Sequence, residues 1–299
     1  MHALSRGAVV LSFLAGVVVT PAMAEEKGLV ADSMVHLFKS AKGGAETLRA
    51  WSAFKNGDKD APAQIFALAK NGSAVAQNLA GYMLDNGEGV RQDSKMASAY
   101  FRAAAKENPI AHYNLAVLHM YGRGVQKDEK KAMEHYRVAL EKGNVEQAAV
   151  RLALFHMKTG DRPAAWKFAN EAANRGNYMG FYLVGRLLFE DRKYQEAFNW
   201  LSKAAGASEP NSPALLSKAY ADGLGLDRNS VMAGGWWLIY LHQNRGERNF
   251  SASSLSGFGL DEDGIRKATR FATDWIATHR RQDKVAFDKT IYEVKSFAM

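Results

Sequence analysis

The sequence predicts an all-α solenoid of stacked helix–turn–helix repeats with capping helices at its ends. Three observations predict it. A glycine signature recurs at a fixed interval: Gly87-Glu88-Gly89-Val90 returns 35 residues later as Gly122-Arg123-Gly124-Val125, and more weakly as Gly223-Leu224-Gly225-Leu226. The residues that follow keep the same interval, pairing Asp93 with Asp128, Ala97 with Ala132, Phe101 with Tyr136 and Ala104 with Ala139. Each glycine pair is also preceded by a matching helical stretch, clearest over Ala111 to Gly122, with counterparts from Ala76 to Gly87 and from Ser212 to Gly223. A period of this length marks a repeat array. One such unit cannot bury its apolar face alone, whereas neighbours in a stack build a continuous core.

The elements follow in order. Met1 to Gly7 carry one positive side chain, Arg6, and no acidic one. Ala8 to Val19 form an apolar run of twelve residues broken only by Ser12, and Thr20-Pro21-Ala22-Met23-Ala24 then leads into Glu25-Glu26-Lys27. Basic, apolar and small-residue regions in that order predict a secretory signal peptide over 1–24, cleaved after Ala24. The run is short of the roughly 20 residues a membrane helix needs, and no later stretch is apolar enough to span a bilayer. Residues 25–44 are expected as an N-terminal segment and 45–246 as the repeat solenoid, with 45–72 capping its first end.

Two units keep the helices and lose the glycine loop. One runs through Ala148, Leu152, Ala153 and His156 into a tight Lys158-Thr159-Gly160-Asp161 turn; the other runs through Gly180, Val184, Gly185 and Leu188. Their second helices align 32 residues apart, matching Ala165 with Ala197, Phe168 with Trp200 and Ala172-Ala173 with Ala204-Ala205, and Trp236 falls 36 residues after Trp200. Residues 247–260 read as a loop. Residues 261–299 read as capping helices, with an acidic start at Asp261-Glu262-Asp263, a helix from Ile265 to His279, and Ile291, Val294 and Phe297 on a last helix.

The glycine signature, with the alanine and aromatic positions around it, resembles the Sel1-like repeat, a relative of the tetratricopeptide repeat. The likeness covers residues 60–245; it is nearly ideal over 111–143 and closer to tetratricopeptide spacing in the third and fourth units. It implies a right-handed α-solenoid that binds a protein on a concave face lined by the first helices. Carried over by register, that face takes Asn78 and Tyr82 from the first unit, Tyr113, Met120 and Tyr121 from the second, and Met157 from the third. Tyr182, Arg186 and Phe189 come from the fourth. Tyr, Phe, Met and Arg are the residue types enriched at protein interfaces. Trp236 and Trp237 are a second candidate, one in the family's packing slot and the other free to be exposed.

Composition narrows the function. With no cysteine in 299 residues, disulfides, thiolate metal sites and cysteine nucleophiles are excluded. An oxidising compartment such as a bacterial periplasm suits such a chain. The net charge of +8 falls to +7 once Arg6 leaves with the signal peptide, and its charges are mixed along the chain, which does not point to nucleic acid. His112 and His119 lie seven residues apart on one helix, roughly 10 Å, too far to share a metal. No nucleophile, nucleotide or metal motif appears. The expectation is a non-enzymatic chain with no cofactor and no metal, a periplasmic adaptor or regulator of a protein partner in the envelope such as a membrane-protein ectodomain. Its plan resembles the periplasmic Sel1-like proteins that regulate exopolysaccharide. A scaffold for polysaccharide export or surface machinery, and a cell-wall binding or modifying protein, are the alternatives.

Overall fold

A computed structural model describes residues 42–296, with side chains through His279. The expected signal peptide, and residues 25–41 of the N-terminal segment, lie outside the described residues. Among the described residues there are thirteen α-helices, one 3-10 helix and no strand. The first pair is α1 (Gly44–Lys55) and α2 (Ala61–Lys70). Four repeat pairs follow: α3 (Ala74–Asn86) with α4 (Ser94–Ala104), α5 (Ile110–Tyr121) with α6 (Glu129–Gly143), α7 (Glu146–Thr159) with α8 (Arg162–Asn174), and α9 (Tyr178–Glu190) with α10 (Tyr194–Gly206). Then come α11 (Ser212–Asp222), α12 (Ser230–Arg245), the 3-10 helix Ala252–Phe258 and α13 (Glu262–Ser296). No helix among the described residues is long and apolar enough to cross a membrane.

Small residues set the spacing inside each pair. Ala97, Ala104, Ala132, Ala139, Ala165, Ala172, Ala197 and Ala204 are fully buried, with Phe101 and Tyr136 filling the gaps between them. Burial of such apolar area is the main force holding a helix pair together. Four of the second helices, α4, α6, α8 and α12, start on side-chain caps: Asp93, Asp128, Asp161 and Asn229 accept from the amides of Met96, Lys131, Ala164 and Met232 at 2.8–3.1 Å. Each satisfies a helix-end donor that would otherwise have no partner.

The glycine loops do two jobs. The first glycine ends its helix: Gly122 sits at φ +71°, and the next amide, that of Arg123, returns to the Leu118 carbonyl at 3.0 Å. The second glycine makes a close approach. A Cβ on Gly124 would stand 2.2 Å from the backbone of Ser94 at the start of α4, and one on Gly225 would stand 2.7 Å from the Gln195 amide nitrogen at the start of α10. Each loop therefore lies over the beginning of the second helix in the pair before it.

Contacts group the chain into two units, with the division between Asn177 and Tyr178. In the unit after that division, the end differs from expectation in two ways. The expected loop contains the 3-10 helix, whose Leu255 is 2% exposed and packs under Gly234 of α12. The expected capping helices are one continuous α13, while the side chains of Ile291, Val294 and Phe297 lie outside the described residues. Trp236 of α12 anchors α13, edge-on to Phe271 at 5.4 Å and to Trp275 at 5.8 Å. Trp237 is half-buried and stacks on Tyr240 at 5.1 Å.

Candidate protein-interaction surface

The first helices α3, α5 and α7 belong to the unit before the division. Four of the nine expected contact residues are placed below the surface, three of them in this unit. Asn78 is 1% exposed and accepts from the Asn114 side-chain amide at 2.9 Å, joining α3 to α5. Tyr82, 3% exposed, meets Trp51 edge-on at 6.2 Å. Tyr113, also 3% exposed, meets Tyr136 of α6 edge-on at 5.3 Å. In the other unit, Phe189 is buried against Tyr194 of α10, with ring centroids 5.1 Å apart. The physical reason is shared: the neighbouring helices close over these side chains, so they hold the stack and offer almost no area to a partner.

The other five reach solvent. Tyr121 is 43% exposed, beside half-exposed Met120 at the end of α5, and Met157 is half-exposed at the end of α7. On α9, Tyr182 and Arg186 are half-buried. Burial pushes the Tyr182 hydroxyl up to about 12, so it stays a neutral donor at physiological pH. Arg186 bonds Tyr182 and donates from Nε to Glu190 at 3.0 Å. Register missed two exposed side chains, Met96 at 49% and Tyr178 at 48%. Met96 lies on a second helix and Tyr178 at the first residue of α9, both outside the positions counted along the first helices.

The end of α5 is held by a buried ion pair that residue spacing alone did not reveal. The Asp85 carboxylate on α3 is 2% exposed; it takes Arg123 Nη2 at 2.9 Å and the Ser94 hydroxyl at 2.7 Å. Arg123 sits inside the glycine loop of the next pair, so the exposed tip at Met120 and Tyr121 is tied to the pair before it. Elsewhere in this unit, an open polar cleft of about 600 Å³ is lined by residues including Asn144, Lys167, Asn170 and Arg175. Within it, Arg175 is bonded to Glu171 at 2.9 Å and to Asn144. Among the described residues, no group of three or more His, Asp or Glu gathers where it could hold a metal ion.

Four stretches, 74–109, 109–144, 177–208 and 214–239, match the Sel1 repeat. The match leaves out the whole of α7–α8, whose turn has no glycine pair. The fold is similar to that of c5321, a protective antigen present in uropathogenic Escherichia coli strains displaying an SLR fold, with a TM-score of 0.69 and 21% identity. That likeness covers 82% of this chain and 55% of the antigen, so the chain spans about half of the antigen's length. It is also similar to a Sel1 repeat protein from Oxalobacter formigenes, with a TM-score of 0.61 and 21% identity over 76% of this chain and 96% of that one. No curated protein sequence matches the chain.

Proposed function

We propose that this chain, which belongs to the Sel1-repeat proteins, is an exported adaptor that holds a protein partner in the bacterial periplasm through the solvent-facing part of its first helices. Sel1 repeats mediate protein–protein interaction, and the family is typically a non-catalytic scaffold. The observation that carries the reading is the exposed tip of α5, where Tyr121 stands 43% exposed next to Met120, just ahead of a loop pinned by the Arg123–Asp85 pair. A large aromatic side chain on a rigid support binds at low entropic cost. Met157, half-exposed at the end of α7 in the same unit, adds a flexible apolar contact. The partner would be an envelope protein such as a sensor ectodomain. Export is supported by the basic, apolar and small-residue order of residues 1–24.

Site-specific photocrosslinking tests the surface. A crosslinker at Tyr121 or Met157 is expected to capture one partner in envelope fractions, while the same group at Glu134, exposed on α6, captures none. Capture from Glu134 alone would move the site to the second helices and overturn the reading. An intact residue 1 in the mature protein, in place of a start at Glu25, would overturn the export part.

A further inference from the structure

The structure assembles a row of three histidines that no single helix reveals. His112 in the first turn of α5, His135 in the middle of α6 and His119 in the last turn of α5 stand side by side. The His112 and His135 rings are 5.1 Å apart and those of His135 and His119 are 5.6 Å apart, the second pair stacked within 18°. The Nδ1 atoms of His112 and His135 face each other at 2.9 Å. At that distance one nitrogen donates a proton and the other must accept it. The neutral pair therefore holds one proton between the two nitrogens. Two imidazolium rings would set two N–H donors head to head.

We infer that this row is an acid-sensitive fastener: double protonation of the His112–His135 pair drives the rings apart and loosens α5 from α6.

The surroundings strengthen the effect. On α6, Lys131 and Lys142 add positive charge to the row, and Asp128 at its N-cap is the acidic group that reaches His119. Glu129, beside that cap, is already engaged by Lys127 and by Lys158 of α7, both at 3.6 Å. From the C-cap of α4 the Ala105 backbone bonds His112, while His119 Nδ1 is occupied by the Gln126 carbonyl at 3.3 Å. Burial, then His112, His119 and Lys131, bring His135 down to about 4; burial and then Lys142 lower His112 as well. Both are lowered from an ordinary value of 6.5, so the stability they confer is complete above that value. It is lost as pH falls from there through about 4. Met120 and Tyr121 directly follow His119. Loosening α5 thus alters the face assigned to a partner; that consequence rests on the partner reading, and the loosening does not.

The test uses the whole chain without any partner. Amide exchange in α5 and α6, corrected for intrinsic rate, is expected to speed up by about tenfold or more between about pH 7.5 and about pH 4.5, with α9 and α10 as the internal reference. His135→Phe keeps an aromatic ring against His119 and is expected to remove most of that acceleration. Equal acceleration in all four helices, or a variant that follows the wild type, would overturn the inference. Should His135→Phe not fold, His112→Gln and the NMR titration of the wild-type rings decide. A His135 that titrates at its ordinary value, with α5 and α6 still protected, sinks the idea.

Discussion

The pair α5–α6 and the pair α7–α8 turn between their helices in different ways. In α5–α6 the loop reaches outward: Gly124 lies against Ser94, and Arg123 enters the site of the buried Asp85. In α7–α8 the turn looks after itself. Gly160 has the left-handed φ of +78° but open space around it, and the Thr159 hydroxyl returns to the carbonyls of Phe155 and His156. Asp161 caps α8 and pairs with His156 at 3.2 Å. The Sel1 match includes the first pair and leaves out the second. The glycine loop is thus a joint between units as much as a turn within one.

The sharpest way to break this comparison is to place one methyl group at each site. Gly124→Ala must displace backbone, and its urea midpoint is expected to fall by the equivalent of about 3–5 kcal/mol. Gly160→Ala meets only the left-handed penalty of about 1 kcal/mol. Similar losses in the two variants would mean that the loop is no joint. Next in size is Arg123→Ala, which strands the buried Asp85 carboxylate at a cost of about 2–3 kcal/mol in chemical denaturation. The half-exposed Asp161 gives its pair with His156 a smaller value, within about 1 kcal/mol by double-mutant cycle.

A finer comparison uses acid. The Lys131 amide, the largest influence on Asp128, holds its carboxyl below the ordinary 3.8. Its stabilisation is therefore present above that value and lost as pH falls through the lowered one. Thermal melts between about pH 5 and about pH 2.5 are expected to slope less for Asp128→Asn than for the wild type. The smallest effect on stability comes from Tyr121→Ala and Met157→Ala, each within about 0.5 kcal/mol in urea. Loss of the partner crosslink in these stable variants would tie recognition to the solvent-facing residues.

Much of the fold is legible in the sequence because its devices are local and periodic. The glycine pairs, the Asp caps at 93 and 128 and the buried alanines all repeat at one interval, and the helices form where that interval places them. The surface is less legible. Register puts Tyr113 and Tyr121 on the same helix as equal candidates, yet Tyr113 is covered by Tyr136 while Tyr121, the last residue of the helix, stands exposed. Spacing along a helix does not record which side chains the next helix will cover. The same holds for the histidines. His112 and His119 are far apart along α5, and only the return of α6, 23 residues on from His112, sets His135 between them. The buried Leu255 escapes because a serine- and glycine-rich stretch has no periodicity from which a contact can be read.

The seating of each glycine loop on the pair before it gives assembly an order in time. A chain emerging from its N-terminus completes α3 and α4 before the loop that covers their edge exists, since Gly124 lies 30 residues beyond Ser94. An unfinished stack then carries its open edge at the growing end. Deletions from the two ends are unequal for the same reason: loss of α5–α6 and everything after it strips the cover from Ser94, whereas loss of everything before α5 leaves Arg123 and Gly124 with nothing to close on. The array has a grain, and nascent chains and truncations alike must run with it or against it.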